Sequence, residues 1–526
     1  MESLTQPPKL QSSISLAFFS FAAVFLVFSL LLVVLRWRRW CTCDICCAYM
    51  SSSWADEGFE NLVDWHAHLL RQSPTRTIHI HVLGNTITAE PATVEHMLKT
   101  RFDNYPKGKT FSSILGDLLG RGIFAVDGDS WLFQRKMASL ELGSVSVRSY
   151  AFQIISGELR HRLLPLLSSV ANSPHQAGSC SVIDLQDVFR RFSFDTICKI
   201  SFDVDHRCLE LGQPLSEFAV AFDKASRLSA SRALSPSPLV WKLKRLLNLG
   251  LEKELRRAIR LVDVLAREVI RQRRNGGASA SGRDLLSRFL GSTDDEQYLR
   301  DIVISFLLAG RDTVASGLTA FFFLLSKHPH VEAKILEDIS RATARGGIED
   351  ETCEEGGVSK EREPTFEQLG RMEYLHAALY ESMRVYPPVQ FDSRFAVEDD
   401  ILPDGTFVRK GTRLTYHAYA MGRMEEIWGE DCLEFRPERW FDKDGVFMPQ
   451  SPFRYSVFHA GSRICVGKEL AVTEMKSVVA AVVPRFRVEA LVDGPTPKFA
   501  SGLTASIVGG LPVVVRARHP TECRSG

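Results

Sequence analysis

From Ile14 to Leu35 the chain carries apolar and small residues without one ionisable side chain. At helical rise this stretch reaches roughly 33 Å, enough to cross a bilayer core. Arg36, Arg38 and Arg39 follow it, whereas a cleaved leader carries its positive charge ahead of a shorter apolar run. The pattern predicts a single transmembrane helix over 14–35, a lumenal N-terminus over 1–13 and a cytosolic remainder held by the arginines. The endoplasmic reticulum membrane is the expected location. Residues 36–59 read as a basic, cysteine-rich juxtamembrane linker. Within it lies Cys41-Thr-Cys43-Asp-Ile-Cys46-Cys47. No second ligand pair follows at the short spacing of a structural zinc site. The run therefore reads as reduced thiols at the membrane surface, with S-acylation as the alternative.

Beyond the linker the apolar pattern changes period. Thr77-Ile-His-Ile-His-Val82 and Thr86-Ile-Thr88 alternate around Gly84 and Asn85, which predicts a β-hairpin. The middle of the chain is helical in pattern, broken by solvated loops over 168–181, 275–282 and 346–363. Tyr298 to Leu325 is a long apolar helix interrupted by Ala309-Gly310-Arg311-Asp312-Thr313. A second membrane span would bury Arg311 and Asp312 in lipid, so this segment predicts a helix through a protein core. After about residue 385, Pro, Gly and short apolar runs lead to a helix starting near Gly467 and a β-like end over 507–515. The class is α+β, mostly helical with a minor β part, and 60–526 reads as one domain.

Composition narrows the function. The 526 residues hold 64 basic and 63 acidic side chains, a net charge of +1, so no concentrated basic surface points to nucleic acid. The eleven cysteines are odd in number and mostly scattered, which fits a reducing compartment.

Candidate chemistry centres on Phe458-His-Ala-Gly461-Ser-Arg463-Ile-Cys465-Val-Gly467. Glycines on both sides let the backbone pass close to a flat group. Arg463 can pair with a carboxylate, and Phe458 can shield the sulfur. Cys465 is therefore a candidate axial ligand to haem iron, a ligation that favours oxygen–oxygen bond cleavage. Asp312 and Thr313 set an acid beside an alcohol, as proton delivery requires, beside space left by Ala309 and Gly310. The Thr313 hydroxyl can either bond the carbonyl four residues back or point into that space. Glu381 and Arg384 lie one helical turn apart, and Arg439 in Phe435-Arg-Pro-Glu-Arg439-Trp is a further partner; a buried triad would have a structural role. Trp131 and Arg135 fall on one helix face, suited to two carboxylate oxygens.

In this order, Trp131 and Arg135, the Ala309–Thr313 run, Glu381 and Arg384, the Phe435–Trp440 run and the Phe458–Gly467 run resemble the cytochrome P-450 monooxygenases over about residues 60–515. The resemblance implies haem b bound through Cys465, with Trp131, Arg135, Arg394 and Arg463 on its propionates, and proton delivery through Thr313 with Asp312. It implies dioxygen as oxidant. The chain has no Gly-rich nucleotide fingerprint, so NADPH is read by a partner reductase docking near Arg135, Lys136 and Lys468. Asn104–Lys109, Gly116–Gly122, Ser139–Gly143, Phe189–Phe194 and Tyr416–Gly422 are similar to the plant members that oxidise the terminal carbon of fatty acyl chains, most nearly those acting on jasmonoyl-isoleucine. The expected substrate is thus jasmonoyl-isoleucine, taken to the alcohol and on to the acid, with fatty acids as the alternative. A hydroperoxide isomerase and a haem sensor without turnover are the rival classes. Two departures stand out: the proline-rich hinge after the anchor is replaced by the cysteine cluster, and Val314 stands where a second hydroxyl is common. Substrate contacts are expected from 108–127, 218–239, the Ala309 helix face, 389–393 and 501–504, with Lys109 and Arg121 as candidate partners of a substrate carboxylate.

Overall fold

The computed structural model describes residues 20, 24–29, 41–51, 62–172, 181–210, 217–235, 237–275, 285–291, 293–344, 363–492, 494, 496–500 and 502–518. The chain divides into two compact units, Met1–Ser53 and Trp54–Gly526. In the first, Val24–Phe28 are helical and exposed, and helix α1 spans Asp44–Ser51. Residues 14–19, 21–23 and 30–35 of the expected anchor, the N-terminus 1–13, and residues 36–40 and 52–59 of the linker lie outside the described residues. So do the cores of the three expected loops, at 173–180, 276–284 and 345–362.

The second unit is mostly helical with small sheets. The hairpin is present: β1 (Thr77–Ile80) pairs antiparallel with β2 (Asn85–Thr88), and a short 3-10 turn ends at Gly84 with φ 57°. That left-handed backbone suits glycine. Strand β3 (Val182–Asp184) leads straight into helix α2 (Leu185–Phe202), where the Asp184 carboxylate accepts from Gln186 N and caps the helix start. Strands β4 (Asp392–Phe395) and β5 (Arg413–Tyr416) complete the first sheet in the order β1-β2-β5-β4. The β2/β5 pairing is parallel, and β4/β5 is antiparallel with Arg394 opposite Leu414. Near the end of the chain, β6 (Phe486–Ala490) and β7 (Pro512–Ala517) join β3 in an antiparallel sheet of order β3-β7-β6.

The core is threaded by one helical rod. Helix α3 (Glu296–Leu307) passes through a π turn at Leu308–Asp312 into helix α4 (Thr313–Lys327). Its apolar face is buried within the protein, with the Phe322 ring tilted at 37° against Phe189 of α2, 5.3 Å between ring centroids. The rod crosses α2 at Gly310, where a Cβ would run into Ile197. Hydrophobicity alone could serve a membrane span; packing against α2 makes it a core helix. Its interruption is one extra residue in a turn rather than a break, a device common at functional sites.

Helix α5 (Glu373–Val385) carries a fully buried carboxylate. Glu381 accepts from Arg384 through both oxygens at 2.8 Å, from Arg439 Nε at 3.2 Å, from the Arg436 backbone N–H at 3.0 Å and from Trp440 Nε1 at 3.0 Å. Arg384 then reaches the Cys432 and Glu434 carbonyls, and Arg439 binds Asp431 and the Trp428 carbonyl. Each side-chain nitrogen and oxygen of Glu381, Arg384 and Arg439 finds a partner across some sixty residues of sequence, so the segment before Cys465 is tied to α5. Burying an ion pair is tolerable only when satisfied in this way.

Helix α6 (Lys468–Val482) follows the cysteine run. Its Glu474 is buried, Oε1 has no hydrogen-bond partner, and burial alone pushes its carboxyl up to about 8.

Two outcomes follow from these buried carboxyls. Glu381→Ala strands Arg384 and Arg439 and should cost about 3–5 kcal/mol of stability; a thermal midpoint equal to the parent's would remove the triad's structural role. Glu474 holds its proton in the folded state well above the pH at which the unfolded chain loses it. Stability should therefore fall as pH rises from about 4.5 towards 8. Glu474→Gln should flatten that slope, as read by thermal midpoints across the range.

Candidate active site

The thiol of Cys465 stands between two turns. Its N–H donates to the Phe458 carbonyl at 2.8 Å, and the Gly467 N–H donates back towards its sulfur. Burial pushes the thiol up, while that N–H, Arg135 and Lys468 pull the other way without reversing the rise. The side chain of Cys465 is nonetheless exposed, between half-buried neighbours. Gly461 has φ 63° and its Cβ would strike the Leu98 carbonyl, so the run needs glycine there.

Cations converge around this run. Arg135, on the helix Gly128–Gly143 with Trp131, donates to the Ile464 carbonyl beside the cysteine. Arg463 lies over the Trp131 ring at 4.5 Å and binds Asp127 at 2.7 Å. Burial lowers its guanidinium to about 10, with Arg394 adding and Asp127 opposing. Arg394 on β4 is 1% exposed, and its Nη2 meets His459 Nε2 at 2.8 Å. Arg394 Nε and Nη1 and Arg463 Nε are all buried without a hydrogen-bond partner. Buried guanidinium donors left in this state are costly. The two carboxylates of a haem would satisfy them, so the residues present fit the group.

Three residues here lie in stretches named from the sequence but were given no role there. Lys107 binds Asp392 at 2.6 Å, and Asp392 also lies 3.3 Å from His459. Burial brings the Lys107 ammonium down to about 7, with Asp392 opposing and Arg394 and Arg463 adding; burial works against the Asp392 charge, yet Lys107, His459 and Arg394 hold its carboxyl well below the usual range. His459 has φ 62° and ψ −176°, a backbone region used almost only by glycine. Its side chain is kept in line by Asp392 and Arg394. Only the Pro106-Lys107 dipeptide next to a glycine could have drawn notice, and its partner lies 285 residues away.

On the rod, the Thr313 hydroxyl donates to the Ala309 carbonyl at 2.5 Å, the first of its two options. Ala309 is exposed and Thr313 half-buried on a helix otherwise buried nearby, so this face borders open space. Asp312 accepts from Arg311 at 3.0 Å, and Arg311 in turn binds Asp223. Burial raises the Asp312 carboxyl to about 6 against the pull of Arg311, with Asp223 adding to the rise. A group poised there exchanges protons near neutral pH.

Some expectations change. Arg121 turns to Asp295 at the surface, 2.6 Å away, while its backbone N–H bonds Asp301; it is spoken for as a partner of a substrate carboxylate. Lys109 is exposed. Arg135 faces inward to Ile464, which leaves the exposed Lys136 and half-buried Lys468 as the cations on that side.

A sequence model of the family described as cytochrome P-450 matches residues 68–509. The chain belongs to that family. It is similar to cytochrome P-450 94C1 of Arabidopsis thaliana, 56% identical over 96% of this chain and 99% of that protein. Similarity extends to cytochrome P-450 94B1 of Arabidopsis thaliana, 44% identical over 88% of each chain, and to cytochrome P-450 94A2 of Vicia sativa, 42% identical over 88% of each. The crystal structure of the heme domain of cytochrome P-450DA shares the fold, with a TM-score of 0.70 over 89% of this chain and 96% of that one at 21% identity. The protein is a monooxygenase of the plant 94 group, using haem, dioxygen and electrons from a reductase.

Arg394→Leu should lower the fraction of chains carrying haem while leaving the reduced carbon monoxide band of the remainder in its thiolate position. Cys465→Ser should abolish that band. A thiolate band that survives Cys465→Ser would assign the ligand elsewhere.

Proposed function

We propose that the protein is an endoplasmic reticulum monooxygenase, anchored by residues 14–35, that hydroxylates the terminal carbon of jasmonoyl-isoleucine and carries it on to the acid. The likeness to the 94 group across nearly the whole chain supports this reading most directly. Partly buried apolar side chains agree with an acyl substrate: Phe111, Ile114, Phe124, Leu308 and Leu503 come from three separate segments and pack against one core cluster. Haem bound through Cys465 supplies the oxygen-activating chemistry. Trp131, Arg135, Arg394 and Arg463 would hold its carboxylates, and Phe458 would shield the sulfur. Asp312, poised near neutral pH, takes protons up beside Arg311, and the Thr313 hydroxyl passes them at the open face of the rod. Each hydroxylation consumes one dioxygen, two electrons and two protons, and yields one alcohol and one water. Lys136 and Lys468 present positive charge to the reductase on the cysteine side.

Incubation of microsomes containing the protein with NADPH, reductase and jasmonoyl-isoleucine should yield the terminal alcohol and then the acid. Product from medium- or long-chain fatty acids alone would move the assignment to a fatty acid hydroxylase. An NADPH-independent product would point to an isomerase, and no product from any acyl substrate would fit a sensor. Thr313→Ala should slow product formation by about 10² or more, the lower end of what positioned proton transfer contributes, and so raise oxygen consumption per product. Unchanged coupling would strip Thr313 of its role.

A further inference from the structure

The thiols that follow the arginines converge. Sγ atoms of Cys41, Cys43 and Cys46 all lie within 4.8 Å of one another. Local backbone brings this about. Cys43 immediately precedes α1 and Cys46 sits in its first turn. The Cys47 N–H donates to the Cys43 carbonyl at 2.9 Å, closing the turn that sets Cys43 and Cys46 on one side. Cys41, two residues earlier, returns to the same point, while Cys47 is exposed.

Zinc–sulfur bonds of about 2.3 Å on a tetrahedral ion separate the sulfurs by roughly 3.8 Å. Rotation of the side chains by about an ångström is enough to close the group on one ion. Other uses of the thiols leave the convergence unexplained. S-acylation needs each sulfur to reach lipid by itself and gains nothing from three meeting at a point. A disulfide takes two and leaves the third beside them. An ion that binds several sulfurs at once makes direct use of the arrangement.

We propose that Cys41, Cys43 and Cys46 form a three-thiolate site for zinc, with the fourth position taken by a donor from outside the three. Binding releases one proton from each thiol and involves no change of oxidation state. The ion ties the start of α1 to the chain just before it. The expected linker thereby becomes a short, metal-clipped knuckle, a structural role independent of oxygen chemistry and of the proposed substrate.

The test uses the full-length, haem-loaded protein in lipid nanodiscs, purified under reducing conditions without chelator. Elemental mass spectrometry should find one zinc per chain, and zinc X-ray absorption should show at least three sulfurs at about 2.3 Å. The triple variant C41S/C43S/C46S should lose the zinc and keep the reduced carbon monoxide spectrum. Zinc surrounded by nitrogen and oxygen, zinc content unaltered in the triple variant, no zinc in the parent, or acyl thioesters on these cysteines would each overturn the proposal. The absorption measurement on the parent decides the matter even if the triple variant folds poorly.

Discussion

Glu381 is the constraint on which the rest of the second unit hangs. A carboxylate with no exposure survives in the core because two guanidiniums, one indole and one backbone N–H meet it. Those donors come from α5 and from the segment Arg436–Trp440, and Arg384 extends the hold to Cys432 and Glu434. The network fixes backbone as much as charge. Gly422 lies against the Arg384 carbonyl so closely that a Cβ has no room. With that segment pinned, the path that leads to the cysteine has few alternatives.

A second set of charges is arranged in the opposite sense. The Glu381 network is closed, whereas the cluster of Lys107, Arg394 and Arg463 keeps donors without acceptors. Asp392, Asp127 and His459 engage each of its cations but leave some guanidinium donors unmet. An excess of buried positive charge is stable only with an anion to receive it. Two carboxylates placed there would meet those donors, and burial already lowers both Lys107 and Arg463. The strained backbone of His459 belongs to the same design, since its ring is the link between β4 and the cysteine run.

Periodicity made the hairpin at 77–88, the core rod and helix α5 legible, because each is specified by neighbours in sequence. Cys465, Arg463 and Glu381 were legible because their spacing to glycines or arginines is itself the signal. The roles of Lys107, Asp392 and Asp127 were not, since each acts through a partner far along the chain. The π turn before Thr313 was visible only as a polar interruption, for the extra residue leaves no mark in composition. Arg121 misled because charge alone does not tell a channel from a surface, and Asp295 claims it. The three thiols show the reverse case: their spacing was plain, but their convergence needed coordinates.

The central claim is that unpaired donors on Arg394 and Arg463, together with Cys465, define how haem sits. A crystal structure of the haem-loaded protein tests it most directly. The account predicts iron bonded to Cys465 Sγ, with propionate oxygens within about 3 Å of Arg394 Nε or Nη1 and of Arg463 Nε. Propionates directed away from both arginines, with those nitrogens still unpaired, would contradict it.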